Sequence, residues 1–395
     1  MSRLNENLKP WQQSVWLNQT NKETRKRSIT SNENFQCYKK KKYESKVTPN
    51  NPESLAVMIS LEIKNALYNS KLKHVTIDDV QPYGSRVSGL YIDDSDVDIH
   101  INCSSNLSPR EMIQSIANVL RNDKKFYKVF ALYYTKVPLI KCIHKHSGVD
   151  CDLSFNNMYA IYNTYLLKHY LTLNQCIKSV LIELKLWAKK YGLINTNGFS
   201  SYSFYWLGLF FMQVNGIIPT VCELQNSTSE FKVGYWNCAF SKEKQEDTKI
   251  NKISVFNILD QMYTYYSNLD YETYVICPYL GRLLFISDFK NIENLPNELS
   301  KYKQFYEDNK KEQKLLFLGS SKFNMYVQDP FQHNYNICAR VTPKIFYKFI
   351  DACKKTKSNL INEKLNKNIE IFDTKITKTT STFVKKEKNY VIDSK

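Results

Sequence analysis

Two aspartates, Asp96 and Asp98, flank the apolar residue Val97 in the segment DVDIHI at 96–101. Val97, Ile99 and Ile101 alternate with polar residues, so a strand here would bury one row and present both carboxylates on the other. The two carboxylates would then stand about 7 Å apart along the strand, a spacing at which they can share magnesium ions. This spacing favours phosphoryl chemistry.

A glycine–serine turn precedes the acidic pair by eleven residues. Gly84 would let the backbone approach a phosphate without a Cβ in the way, and Ser85 adds a hydroxyl donor, which suits a loop that cradles a triphosphate. Each feature alone also occurs in ordinary turns and solvated strands. The ordered combination of apolar strand, turn and acidic strand indicates a nucleotide site.

A third carboxylate is needed if two metal ions are to be held, and the alternating segment VDCDLSF at 149–155 offers one. Asp150 and Asp152 face the same side of this predicted strand. Periodicity therefore leaves both of them open as the third ligand.

These motifs resemble those of the polymerase-β-type nucleotidyltransferases, and among them the noncanonical poly(A) polymerases and terminal uridylyltransferases that extend RNA 3′ ends. The resemblance spans roughly residues 55–352 and is carried by GSRVSGLYIDDSDVDI, VDCDLSFNNMYAIYNTYLL, VLIELKLWAKKYGL, GFSSYSFYWLGLFF and MYVQDPFQHNYNICARV. It implies that Asp152 is the third metal ligand beside Asp96 and Asp98, and that Asp150 is a solvated neighbour. It also implies Mg²⁺ as the cofactor, with Mn²⁺ as a substitute.

The resemblance further implies a set of nucleotide-binding residues. Lys185 and Lys189 fall one helical turn apart and would meet the β- and γ-phosphates, although without the acidic strands they would indicate only a solvated face. Amides and hydroxyls would line the ribose and triphosphate, and a tyrosine would stack on the base. The full set is Gly84, Ser85, Asn157, Asn163, Thr164, Lys185, Lys189, Ser201 and Tyr202.

The segment DPFQHNYN corresponds to the loop with which such enzymes choose the base. Many uridylyltransferases carry Asp-Pro-Phe-Glu-x-x-His-Asn, whereas here Gln332 replaces the Glu and Tyr335 stands at the His position. His333 lies two residues earlier and would substitute only if the loop shifts. The expected base-selection residues are Asp329, Gln332, His333, Tyr335 and Asn336, and the departure from the pattern leaves both uracil and adenine open.

The elements around these motifs predict an α+β fold. A helix begins after Pro52 and ends near Asn69, a mixed region with the helix PREMIQSIANVLRN follows, and helices dominate the later part. The resemblance implies a polymerase-β-like nucleotidyltransferase lobe, a mixed sheet with helices, inserted into a mainly helical poly(A)-polymerase-associated lobe, with a cleft between them. The expected ranges are 76–165 for the catalytic lobe and 52–75 plus 166–353 for the helical one. The first helix is expected to pack with the later helices.

Charge and composition restrict the partners. Lysine and arginine number 55 against 38 acidic residues, a net charge of +17, which predicts a polyanionic partner, most simply RNA. Much of this charge lies in the leader 1–51 and in the lysine-rich tail 354–395, both expected to be disordered. Because no RNA-recognition motif or zinc finger is present, the choice of RNA is expected to come from the cleft, the tails or an RNA-targeting partner protein.

The cysteines and apolar runs bear on location. Ten cysteines without a C-x-x-C pair indicate a reducing compartment, and no apolar run is long enough to span a membrane. A nuclear or cytoplasmic location is favoured over a mitochondrial one, and the lysine run at 39–42 is compatible with nuclear import.

The expected activity is template-independent addition of uridylate to an RNA 3′ end by two-metal-ion nucleotidyl transfer, with release of pyrophosphate. The expected substrates are the RNA 3′ end and UTP or ATP. Three alternatives stay open: a noncanonical poly(A) polymerase that adds adenylate, an inactive RNA-binding scaffold that keeps the shape, and, with weaker support, an enzyme that makes nucleotide second messengers.

Overall fold

Five strands form a mixed sheet that carries both acidic segments. They are β1 (Val75–Tyr83), β2 (Val97–Ser105), β3 (Phe126–Leu132), β4 (Leu139–His144) and β5 (Asp150–Phe155), in the spatial order β1-β2-β5-β4-β3. Strands β2 and β5 run parallel, and the other neighbouring pairs are antiparallel. The two acidic strands therefore lie side by side at the centre of the sheet.

The computed structural model describes residues 51–70, 72–133, 138–243, 254–313, 316–318 and 323–357. The predicted leader 1–51 and tail 354–395 lie outside this part, apart from Asn51 and residues 354–357. None of the helices in the described ranges combines the length and apolarity needed to cross a bilayer.

Two helices, α1 (Pro52–Asn69) and α3 (Pro109–Asn122), share a core with the sheet. The α3 helix begins as the sequence predicts, because Ser108 and Glu111 form a reciprocal capping box and a proline occupies the first turn. Alternate residues of the central strands, among them Val97, Ile99 and Leu153, are fully buried in this core. The polar residues between them must point to the opposite face.

The packing expected for the first helix is wrong. Its bounds agree with the prediction, but its buried residues, which include Leu55, Ile59 and Ile63, belong to the core of the sheet and not to that of the later helices. The physical reason is that its apolar face is complementary to the apolar face of β1 and β2, which would otherwise be exposed. It also contacts the later helices through the ion pair of Glu53 with Lys168, at 2.6 Å.

The second core is mainly helical, as predicted, and it is rich in aromatic residues. Its helices are α4 (Met158–Leu173), α5 (Gln175–Lys190), α6 (Ser201–Val214), α7 (Val221–Asn226), α8 (Val255–Asn268), α9 (Ser300–Asn309) and α10 (residues 343–357). Short strands complete it: β6 (Lys232–Val233), β7 (Trp236–Asn237), β8 (Tyr274–Cys277), β9 (Arg282–Phe285) and β10 (Tyr326–Val327). The predicted α+β fold, with a mixed sheet and a helical region, is confirmed.

Candidate active site

The three predicted carboxylates converge where the central strands begin. Asp98 and Asp152 are paired across β2 and β5, so they share one face, and Asp96 immediately precedes β2. Burial, together with the charges of the two neighbouring aspartates, raises the pKa of Asp98 to about 7. Burial and Asp152 also raise the pKa of Asp96. The site thus concentrates negative charge that calls for cations.

Lys141 supplies one such cation, and sequence reasoning missed it. It stands opposite Asp152 in the antiparallel pair of β4 and β5, and its ammonium lies 2.8 and 2.6 Å from the two carboxylate oxygens. Burial alone would lower the pKa of Lys141, but the hydrogen bond with Asp152 and the negative charges of Asp152, Asp96 and Asp150 together raise it. The alternation in LIKCIH puts Lys141 on one face of a strand, but only the strand order brings it to Asp152.

The three carboxylates suit a hard divalent cation such as Mg²⁺, which prefers oxygen ligands. Within the described ranges, no three His, Cys, Asp or Glu side chains already surround a common point as a metal cluster. At the third carboxylate, both Asp152 oxygens are bonded to Lys141. The residues fit a metal once Asp152 exchanges its lysine partner for one.

Gly84 is required here for a reason that the sequence did not reveal. It opens the short helix α2 (Gly84–Ser88) with a φ of +76°, and a Cβ at this position would lie 2.0 Å from Asp98 Oδ2. Its N–H donates to Thr164 Oγ1 at 2.9 Å, so this amide is already engaged. The absent Cβ makes room for the Asp98 carboxylate, and Thr164 fastens the turn.

The buried Arg86 fixes the segment between α2 and β2 by hydrogen bonds to its backbone. Sequence analysis did not identify this residue. Its guanidinium donates to the carbonyl of Ser95 at 2.6 Å and to that of Asp96 at 3.2 Å. Ser85, predicted to face a phosphate, lies half-buried in the first turn of α2. The backbone that leads into Asp98 is therefore fixed by an internal cation.

Both predicted phosphate lysines contact this same segment. The buried Lys185 donates to the Leu90 carbonyl at 3.1 Å and to Ser95 Oγ at 3.3 Å, and burial lowers its pKa to about 8. Lys189 lies 2.8 Å from each carboxylate oxygen of Asp94. The structure therefore gives each lysine a protein partner near Asp98.

Tyr202 and Asn163 meet at Asp329. The Tyr202 hydroxyl donates to Asp329 Oδ2 at 2.9 Å, and Asn163 also hydrogen-bonds this carboxylate. Asp329 Oδ1 accepts the backbone N–H groups of Phe331 and Gln332, and burial raises the pKa of Asp329 to about 6. Asn163 Oδ1 is buried and has no partner among the residues described, which leaves one acceptor for a ligand.

The other positions of the DPF loop divide into two groups. His333 is buried between the rings of Trp236 and Tyr279, at centroid distances of 5.1 and 4.3 Å, and burial lowers its pKa to about 4. The Asn336 side-chain amide hydrogen-bonds with backbone groups of residues 325, 327 and 338. These two residues hold the loop, whereas Gln332 and Tyr335 are half-buried at its surface.

The remaining predicted residues frame the site. Asn157 precedes α4 without a side-chain capping bond, and Ser201 begins α6 beside Tyr202, both half-buried. Asp150 is exposed and lies two residues from Asp152, hence on the same face.

Comparisons with known proteins agree with this architecture. A family model described as the central palm domain of mitochondrial-like poly(A) RNA polymerase matches residues 40–172. The Speckle targeted PIP5K1A-regulated poly(A) polymerase of Danio rerio is 27% identical over 271 residues, covering 66% of this chain and 32% of that protein. Terminal uridylyltransferase 7 of Homo sapiens is 25% identical over 281 residues, covering 67% of this chain and 17% of that protein.

The solved structure of mtPAP in complex with UTP superposes with a TM-score of 0.61 at 20% identity, covering 78% of this chain and 63% of the other. At this identity the likeness concerns the fold. The chain spans a third or less of the length of the two relatives.

Proposed function

We propose that this chain, as a member of the noncanonical poly(A) polymerase and terminal uridylyltransferase family of polymerase-β-type nucleotidyltransferases, adds nucleotides to RNA 3′ ends without a template. One observation carries the proposal. Asp98 and Asp152 stand opposite each other on the central strands, with Asp96 beside them and a glycine whose missing Cβ accommodates Asp98. The two relatives are named as a poly(A) polymerase and a uridylyltransferase.

In this proposal Asp96, Asp98 and Asp152 hold Mg²⁺, with Mn²⁺ as a substitute. When bound, the metal would lower the pKa of the RNA 3′ hydroxyl and neutralise phosphate charge. The hydroxyl gives up its proton to solvent, and its oxygen bonds to the α-phosphorus while the bond to the leaving pyrophosphate breaks. Lys185 and Lys189 stabilise the charge that develops on the pyrophosphate.

Other residues position the nucleotide. The buried oxygen of Asn163, which has no partner within the described part of the chain, can accept a hydrogen bond from a ribose hydroxyl. Asn157 precedes the same helix, and Thr164 lies on it. Ser201 contacts a phosphate, and the Tyr202 ring stacks on the base, oriented by the bond of its hydroxyl to Asp329. Gly84 and Ser85 shape the turn below the triphosphate.

We propose UTP as the preferred nucleotide and ATP as the alternative. The half-buried Gln332 and Tyr335 are the loop side chains best placed to contact a base, because His333 and Asn336 are committed to the loop itself. If Tyr335 selects the base, Tyr335→His should shift preference toward UTP in a competition between the two nucleotides. An unchanged ratio would exclude this position from selection.

The proposed activity is tested with purified protein, labelled oligo(A) RNA, Mg²⁺ and each of the four nucleoside triphosphates, separately and mixed. Asp98→Ala should abolish tailing and keep the fold, while the matched control Asp150→Ala, which removes an exposed aspartate of the same face, should keep activity. Preferential use of UTP supports uridylate addition, and preferential use of ATP supports the adenylate alternative. If the wild type adds no nucleotide in any reaction, and RNA binding is equal in wild type and Asp98→Ala, the result would instead support the inactive RNA-binding scaffold.

We further propose the lobe ranges 76–165 and 166–353, a nuclear or cytoplasmic location, and an RNA-targeting partner protein. One relative is named as speckle targeted, which supports a nuclear location. Imaging of a fluorescent fusion in which the lysine run at 39–42 is replaced by alanine would test the import signal. Unchanged distribution would remove that role.

A further inference from the structure

Four side chains lie in one row across the sheet, on the face of the carboxylates. Asp98 on β2 is opposite Asp152 on β5, Asp152 is opposite Lys141 on β4, and Lys141 is opposite Phe130 on β3. Directly opposite residues of neighbouring strands share a face. Since neighbouring strands are about 4.8 Å apart, Phe130 stands about 10 Å from Asp152 on the same surface.

A β-bulge brings a second aromatic residue to this face. Tyr127 is opposite Ile143, two residues from Lys141, and the register shifts between Tyr127 and Phe130 around Lys128, whose φ is +51°. Without the extra residue, positions 127 and 130 would point to opposite faces of the strand. The bulge therefore places both rings on the face of the carboxylates.

These rings are open to solvent. Phe130 is 59% exposed and Tyr127 42% exposed, whereas Phe126 and Val129 of the same strand are buried in the core. Scattered exposed aromatics need no explanation by themselves. These two differ because they lie in register with the carboxylates, on an edge strand whose outer side has no neighbouring strand in the described part of the sheet.

The surrounding charge is positive. The segment RNDKKFYKVF carries four basic residues against one acidic residue, Asp123. Two of the four, Arg121 and Lys125, are bonded to Asn118 and Glu62 of the helices that cover the other face of the sheet, which leaves Lys124 and Lys128 beside the rings in sequence. Aromatic rings on which bases stack, together with cations that meet the backbone, are what binding of single-stranded nucleic acid requires. Charge and shape thus point to one class of occupant, a single-stranded polynucleotide.

We propose that Phe130 and Tyr127 form a stacking platform for bases of the RNA strand within about three nucleotides of its 3′ end. This inference rests on the proposed function, because the 3′ hydroxyl must reach the carboxylates. A strand that leaves them toward β3 passes over Lys141, whose ammonium can meet a phosphate when Asp152 takes a metal. Stacked nucleotides rise about 3.4 Å each, so the distance of about 10 Å corresponds to about three of them.

The platform is tested by the affinity for labelled oligo(A) without nucleotide, measured by fluorescence anisotropy. Phe130→Ala and Tyr127→Ala should each weaken binding by about 5- to 150-fold, the effect of losing one stacked base, and Phe130→Trp should preserve it. The matched control is Tyr347→Ala, which removes an aromatic residue that is 65% exposed on α10. It should leave the affinity unchanged.

The outcomes separate this inference from the proposed activity. Weaker RNA binding by Phe130→Ala supports the platform even if no nucleotide is transferred, and wild-type affinity of both alanine variants overturns it even if tailing is robust. A second measurement uses RNA with 4-thiouridine at the second, third or fourth position from the 3′ end. Photocrosslinks to the peptide that contains Phe130 are expected, and crosslinks confined to the helical core would overturn the platform.

Discussion

Replacement of Gly84 by alanine should disable catalysis through one defined contact. The added Cβ would lie 2.0 Å from Asp98 Oδ2 and 2.7 Å from its carboxyl carbon. Real Cβ atoms essentially never approach another heavy atom within 3.0 Å, so the carboxylate must move by about 1 Å, the difference between 3.0 and 2.0 Å. The backbone φ of +76° adds strain for any residue other than glycine.

The two costs differ in size and in consequence. Left-handed backbone costs an alanine about 1–2 kcal/mol of stability. A displacement of about 1 Å in a catalytic group costs about 100-fold in rate. Gly216 offers the matched control, because its φ is +63° and a Cβ there meets nothing within 4 Å. Gly216→Ala should therefore share the strain without the loss of rate.

The assay is single-turnover nucleotide addition with saturating RNA and nucleotide, beside thermal unfolding of each variant. Gly84→Ala should lose about 100-fold in rate, whereas Gly216→Ala should stay within about threefold of wild type while it loses a similar amount of stability. A Gly84→Ala variant within threefold of the wild-type rate would refute the reasoning. So would an equal loss of rate in both variants, since strain alone would then explain it.

Three further perturbations follow from ion pairs and burial near the site. Asp94→Asn should free Lys189, and it should lower the KM for nucleotide by at most about fivefold with kcat unchanged. The effect is limited because exposed ion pairs contribute less than about 1 kcal/mol. An unchanged KM would mean that Asp94 does not compete with the triphosphate for Lys189. Lys141→Met should tighten Mg²⁺ binding measured by calorimetry without RNA, because Asp152 loses its cation, and weaker binding would contradict this exchange. The buried His333 prefers the neutral form, so its contribution to stability is present above pH 6.5 and is lost as the pH falls through about 4, by about 3 kcal/mol in all. His333→Gln should flatten the dependence of unfolding free energy on pH across this window, and an unchanged slope would refute it.

Patterns of local sequence predicted the elements well, because burial of one face imposes its period on the chain. The strands that carry Asp98 and Asp152 have the predicted alternation, and the first helix begins at Pro52 and ends at Asn69 as predicted. Caps explain the accuracy of some bounds. Ser108 and Pro109, for example, fix the start of α3 by side-chain and backbone chemistry that is local.

Side-chain contacts between different strands and helices could not be predicted from local sequence patterns. The pairing of Lys141 with Asp152 depends on strand order, and the same alternation in β4 would be compatible with other neighbours. The close approach of Gly84 to Asp98 likewise arises from the antiparallel register of β1 and β2, in which Tyr83 is opposite Asp98. The first helix was assigned to the wrong core because an apolar face does not itself identify which surface it covers.

Pairing of charges before any substrate binds is the common feature of this site. Asp152 holds Lys141, Asp94 holds Lys189, and Lys185 is bonded to the Leu90 carbonyl. Metal and triphosphate must therefore exchange partners with the protein, so their affinities reflect the difference between two ion pairs rather than the full strength of one. Because a cation bound by Asp152 would displace Lys141, metal binding would free this lysine for the RNA backbone when the carboxylates become competent. On this argument RNA affinity should rise with Mg²⁺ in the wild type and be insensitive to it in Lys141→Met, as anisotropy titrations at matched ionic strength can measure. An equal rise of RNA affinity with Mg²⁺ in both proteins would mean that Lys141 does not contact the RNA strand.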